Sequence, residues 1–247
     1  MITNKMPGDW QTLQRWTAEI LVECGLAAEV EAKCEGVRGR VEVDVVAVDR
    51  RYDRKYTVFV ECKLWESNIP QHVVHAFRSV VADGGANVGY IVSKKGFQSG
   101  CYASVENTVV KLLSWDEFQD EFEQQWYFSY FKVRAQSELS QLLSYIDSSL
   151  GLPYWDCYLE EDEVEEVESL IDDNYELRKL LNELLRGEGK LELPLRRGRA
   201  FSNSLPDNIF EQRAYKEFYM LLLDFSTPIL NKFKLFHALA VERRKLL

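Results

Sequence analysis

Two runs constrain this chain's fold more than any others: "RVEVDVVAVD" (Arg40 to Asp49) and "YTVFVECKLW" (Tyr56 to Trp65). Both are rich in β-branched and aromatic residues that favour a pleated surface, and the charged stretch "RRYDRK" between them predicts two adjacent strands joined by a polar turn. Each run also carries charge among apolar neighbours. Asp44 sits amid Val41, Val43, Val45 and Val46, and Glu61 and Lys63 lie two places apart. In an extended strand Glu61 and Lys63 share one face, while Val58, Val60, Cys62 and Leu64 share the other. Burying an unpaired carboxylate or ammonium is costly, so a compensating partner is expected. A hard divalent cation between Asp44 and Glu61 is one such partner, because Mg²⁺ is commonly held by one or two carboxylates plus water and phosphate oxygens. The alternative is an exposed face of charged pairs with Asp44 at a solvated strand end.

The flanking segments place these strands in a mixed α/β fold. "DWQTLQRWTAEILVECG" has helical apolar spacing, with Asp9 as a candidate N-cap and Gly25 as a stop, and "AEVEAKCEG" alternates as a strand. "IPQHVVHAFRSVVADGG" presents Val73, Val74, Phe77, Val80 and Val81 on one helical face, and is followed by a short buried strand in "NVGYIVSKKGF". "QSGCYASVENT" reads as a helix and "VVKLLSW" as a last strand. The order is αββββαβαβ-like, with one crossover helix returning to a parallel strand. Helical periodicity dominates beyond Trp126, which predicts a mainly α-helical C-terminal extension and a division into residues 1–126 and 127–247.

Charge bears on partners. The chain of 247 residues has a formal net charge of −10, which at first argues against nucleic acid. From Met1 to Asp116, however, 14 Lys and Arg face 15 Asp and Glu, so the acid is concentrated in the remainder, notably in "EEDEVEEVE" (Glu160 to Glu168). That run is either a solvated helix face or a mask over a basic rim, to be displaced by a partner. A local cationic rim can coexist with an acidic whole because fields are screened over about 10 Å at ordinary salt. Five cysteines without a CxxC pair fit reduced thiols, and no stretch approaches the roughly 18 apolar residues that span a bilayer. A cytoplasmic location without membrane association is expected.

With Asp44, the Glu61-x-Lys63 pair, the helix opening at Gln71 and the segment "GFQSG" in that order, residues 10 to 118 resemble the Mrr-like branch of restriction endonucleases in the PD-(D/E)xK nuclease superfamily. The resemblance implies a restriction-endonuclease-like core, a mixed sheet flanked by helices, and divalent-metal-dependent cleavage of DNA in restriction or anti-phage defence. It implies Asp44, Glu61 and Lys63 as catalytic residues, with Gln71 near them. Asp44, Glu61 and the carbonyl of Cys62 would hold Mg²⁺, with Mn²⁺ as a substitute. Val43 stands where the superfamily motif has proline, and Cys101 where relatives often have alanine. Either Gln14 or Glu19 on the first helix would take the place of a glutamate that reaches the metal in relatives. A repair nuclease and a non-cleaving binding module remain the rival readings.

Further candidates are weaker. Lys94, Lys95, Gln98 and Arg40 are expected at a DNA backbone, against a reading of them as solvated loop and edge residues. His72 and His75 could touch phosphate, and "DRRYDRK" could enter a groove. "LPLRRGRAF" is a candidate contact for nucleic acid or protein, a partner protein of a defence system is expected at the C-terminal helices, and a homodimer on DNA follows by analogy with enzymes that cut both strands.

Overall fold

A computed structural model describes residues 1–51, 55–147, 156–195 and 205–246. Residues 52–54 of "DRRYDRK" and 196–201 of "LPLRRGRAF" therefore lie outside the described residues. The chain forms two compact units, Met1–Tyr130 and Phe131–Leu247.

In the first unit α1 (Trp10–Glu23) leads into a five-stranded sheet of β1 (Ala27–Gly36), β2 (Gly39–Asp49), β3 (Tyr56–Lys63), β4 (Val88–Ser93) and β5 (Val110–Ser114). The strands lie in chain order across the sheet. β1, β2 and β3 form an antiparallel meander, and β4 and β5 continue it in parallel. Among the described residues three strands, not four, precede α2 (Gln71–Asp83), because "AEVEAKCEG" and the two longer runs supply the whole meander. There are also two crossovers rather than one: α2 joins β3 to β4, and the short α3 (Ser99–Val105) joins β4 to β5. α4 (Trp115–Trp126) follows β5 and opens on a reciprocal capping box between Ser114 and Glu117.

Local chemistry fixes the ends. Asp9 accepts the N–H of Thr12 at 2.6 Å, which starts α1, and Gly25 at φ +87° ends it in a conformation that suits glycine. One face of the sheet packs Phe59, Val43 and Ile91 against Val74, Phe77 and Val81 of α2 and Cys101 of α3. Gly89 allows α2 this close, since a Cβ there would stand 2.5 Å from Val81 and 2.9 Å from Phe77. On the opposite side of the fold, Leu13, Ile20 and Leu21 of α1 are buried, as are Phe118 and Phe122 of α4, and both of these rings meet Tyr90.

The second unit is helical: α5 (Lys132–Ile146), α6 (Glu161–Asp173), α7 (Tyr175–Arg186), α8 (Asp207–Phe210) and α9 (Tyr215–Arg244). α5 packs on α7 and α9, with Tyr145 stacked on Phe233. The acidic run has a local reason. Glu160 caps α6, and Glu161, Asp162 and Glu163 occupy its first turn, where carboxylates complement the helix dipole. Glu163 also receives two bonds from Arg243.

Candidate active site

The site begins with an interruption of β2. Val41, Val43 and Val46 all meet the core on the α2 side, although an uninterrupted strand would put residues 43 and 46 on opposite faces. The break falls at Asp44 and Val45. The β1–β2 ladder passes from Ala32–Val43 to Val30–Val45, and the β2–β3 ladder starts only at Val45–Val60. Across from Asp44, Glu31 adopts φ +51°, a left-handed conformation uncommon for a residue with a side chain.

This leaves the Asp44 carboxylate in the opening between β2 and β3. One oxygen accepts the backbone N–H of Cys62 at 2.7 Å, taking the place of a ladder bond, and the other accepts from Gln14 Nε2 at 2.9 Å. Lys63 Nζ lies 3.9 Å from Asp44 and is bonded directly to Glu61. All three charged side chains are largely buried. Burial, and then the nearby Asp44 charge, hold the Glu61 carboxyl above its ordinary range despite the opposing pull of Lys63. Burial likewise pushes the Cys62 thiol up, with its Sγ 3.9 Å from Thr17 Oγ1 of α1.

Of the two first-helix candidates, Gln14 faces this cluster and is 6 % exposed, whereas Glu19 is exposed and lies 3.7 Å from Arg15. Gln71 opens α2, but its amide donates to Ser104 of α3 at 2.8 Å and forms no hydrogen bond with Asp44, Glu61 or Lys63 among the described residues. Lys94 and Lys95 follow β4. The N–H of Lys94 donates to the carbonyl of Lys63 at 3.2 Å, and both ammonium groups reach Glu66. Gln98 occupies the N-cap position of α3. Arg40 is paired with Glu35 across the β1–β2 hairpin, whose tip is tied to the last turn of α2 by the Val37 N–H to Asp83 carbonyl bond, and it does not line the cleft beside Asp44. His72 and His75 are exposed on α2.

That cleft, about 480 Å³, is lined by Gln14, Asp44, Cys62 and Lys63 together with Asp9, Trp10, Glu31, Glu42, Leu64 and Trp65. Glu31 and Glu42 escaped the sequence reading because alternating charges on a strand look like a solvated face. The Val45–Val46 doublet was the available signal that alternation breaks beside Asp44.

The carboxylates of Asp44 and Glu61 converge on Lys63 beside this cleft, and among the described residues no cluster of three or more His, Cys, Asp or Glu is arranged to hold a metal. This donor set suits a hard cation that keeps waters and takes substrate oxygens, since two half-buried like charges sharing one ammonium gain most from such an ion.

Residues 6–122 match the Mrr_cat family model, described as restriction endonuclease. No curated protein matches the sequence. Among solved structures the chain is similar to the protein of unknown function AF1548, at 16 % identity and a TM-score of 0.40, over 73 % of this chain and 100 % of that one. It is similar to protein VC1899 from Vibrio cholerae at 17 % identity and a TM-score of 0.37, covering 48 % of this chain and 33 % of that one. For the DNA modification-dependent restriction endonuclease AspBHI the values are 13 % and 0.31, covering 48 % and 37 %. Among the described residues no helix is long and apolar enough to cross a membrane. The sheet with its flanking helices, carried by residues 6–122, is a restriction endonuclease domain of the Mrr_cat family.

Proposed function

We propose that this domain is a divalent-metal-dependent endodeoxyribonuclease serving restriction or anti-phage defence, with Asp44, Glu61 and Lys63 as its catalytic residues. The observation that carries the proposal is the gathering of these three side chains at the opening between β2 and β3, with Lys63 reaching both carboxylates. Asp44, Glu61 and the Cys62 carbonyl would hold Mg²⁺ or Mn²⁺. Bound there, the ion supplies an acidified water and offsets charge on the scissile phosphate. The chain's own groups do the positioning. Gln14 and the Cys62 N–H fix the two Asp44 oxygens, so that carboxylate is aimed before substrate arrives. The Lys63 ammonium orients the attacking water and neutralises charge that develops on the phosphate oxygens. Lys94 and Lys95, held by Glu66, would take up DNA phosphates next to β3, and the helical unit would receive a partner protein.

The test is supercoiled plasmid incubated with the full chain in Mg²⁺ or in EDTA. Conversion to nicked or linear DNA only with Mg²⁺ is expected. Inertness in both Mg²⁺ and Mn²⁺, with DNA still bound, would favour a non-cleaving binding module instead.

A further inference from the structure

The walls of the cleft are unlike a surface made for duplex DNA. A duplex is gripped chiefly through phosphates by Lys and Arg, yet among the described residues the only Lys or Arg lining this cleft is Lys63, whose ammonium already serves Glu61 and Asp44. Around it stand the carboxyl groups of Asp9, Glu31 and Glu42 and two tryptophans. Trp10 is 48 % exposed and Trp65 is 42 % exposed. Trp10 follows the α1 cap, where Asp9 is fixed by the Thr12 N–H, and Trp65 lies two residues beyond Lys63. Trp10 therefore opens the helix that carries Gln14, and Trp65 follows the strand that carries Glu61 and Lys63.

Exposed indoles are costly to leave in water and offer π-faces on which bases stack regardless of sequence. Carboxylates accept hydrogen bonds from the N–H groups on the pairing edges of bases, the N3–H of thymine among them, and these are free only when a base is unpaired. A volume of about 480 Å³ is of small-ligand size, room for a nucleotide rather than for a double helix. We infer that the cleft binds an unpaired nucleotide, stacked by Trp10 and Trp65, and that these two residues direct the domain to DNA with unstacked bases. This rests on the reading of the domain as a DNA nuclease. Two sources share the chemistry: a single-stranded segment, or a base extruded from a duplex.

Binding measured without cleavage separates the two claims. The full chain, in Ca²⁺ in place of Mg²⁺, is titrated with a six-nucleotide oligo(dT), with a blunt two-strand duplex, and with the same duplex carrying one mismatched pair. Trp10→Ala and Trp65→Ala are each expected to weaken oligo(dT) binding roughly 5- to 100-fold, while Trp10→Phe and Trp65→Phe keep most of it. Binding of the blunt duplex should change less than about twofold, the variation of an uninvolved surface site. A parallel loss on the mismatched duplex assigns the cleft to an extruded base as well, and a loss on oligo(dT) alone assigns it to single strands. Unchanged oligo(dT) binding in both alanine variants, or equal losses on blunt duplex and oligo(dT), would overturn the inference. Indole-dependent oligo(dT) binding by a chain that cuts nothing in Mg²⁺ or Mn²⁺ would sustain the stacking site and sink the nuclease reading. Undiminished cleavage of blunt duplex and single strands by the double alanine variant would do the reverse.

Discussion

Asp44 accepts the backbone N–H of Cys62 at 2.7 Å, so a side chain on β2 makes the bond that the strand ladder leaves open at this point. The same contact joins fold and chemistry: it holds the carboxylate beside Glu61 and Lys63 and satisfies an N–H that would otherwise be orphaned.

Asp44→Asn and Asp44→Ala both remove the charge, but only alanine removes the acceptor. The alanine variant is expected to be less stable than the asparagine variant by about 1–3 kcal/mol, the cost of an unsatisfied buried donor. Urea midpoints of the two variants in EDTA check this, and equal midpoints would mean that the Cys62 bond contributes nothing.

Glu61 is held above its ordinary range by burial and by Asp44. A carboxyl with a raised folded-state value binds its proton more tightly in the fold than in the unfolded chain. Its contribution is therefore fully present at acid pH and is lost as pH climbs from the ordinary glutamate range through the raised value. In EDTA the wild type should lose stability over that window, and Glu61→Gln should lose less. Carbon-13 NMR should also show the Glu61 titration moving down in Asp44→Asn. An unmoved titration would contradict coupling between the two carboxylates.

Divalent ions should reverse this penalty. Mg²⁺ at about 100 times its dissociation constant is expected to stabilise the wild type by about 2.7 kcal/mol. Asp44→Asn and Glu61→Gln should gain much less in the same thermal melts. Equal stabilisation of all three would place ion binding elsewhere.

Gly89→Ala probes the crossover that supports the site. Its new methyl would meet Val81 at 2.5 Å, and overpacking of this kind costs about 1–3 kcal/mol. Chemical denaturation reads the loss. A stability equal to wild type would show that α2 can move off β4 freely.

Much of this was legible in the sequence because it rests on local periodicity. Alternation marked β2 and β3, the caps at Asp9 and Gly25 bounded α1, and buried valines marked β4 and α2. What stayed hidden depends on partners distant in the chain. Nothing in the spacing of α1 says that Gln14 rather than Glu19 meets Asp44, since that follows from how α1 lies on the sheet. Among the described residues the fourth strand expected ahead of α2 is absent, because three runs already complete the meander. Nor does helical spacing reveal that the Gln71 amide donates to Ser104, thirty-three positions away.

The central claim is that Asp44, Glu61 and Lys63 together cut DNA, and single-turnover cleavage of a labelled substrate in Mg²⁺ tests it most directly. With circular dichroism confirming the fold, Lys63→Ala and Asp44→Asn are each expected to lower the rate at least roughly 100-fold, the scale seen when one transition-state donor is removed. Wild-type rates in both folded variants would contradict the account.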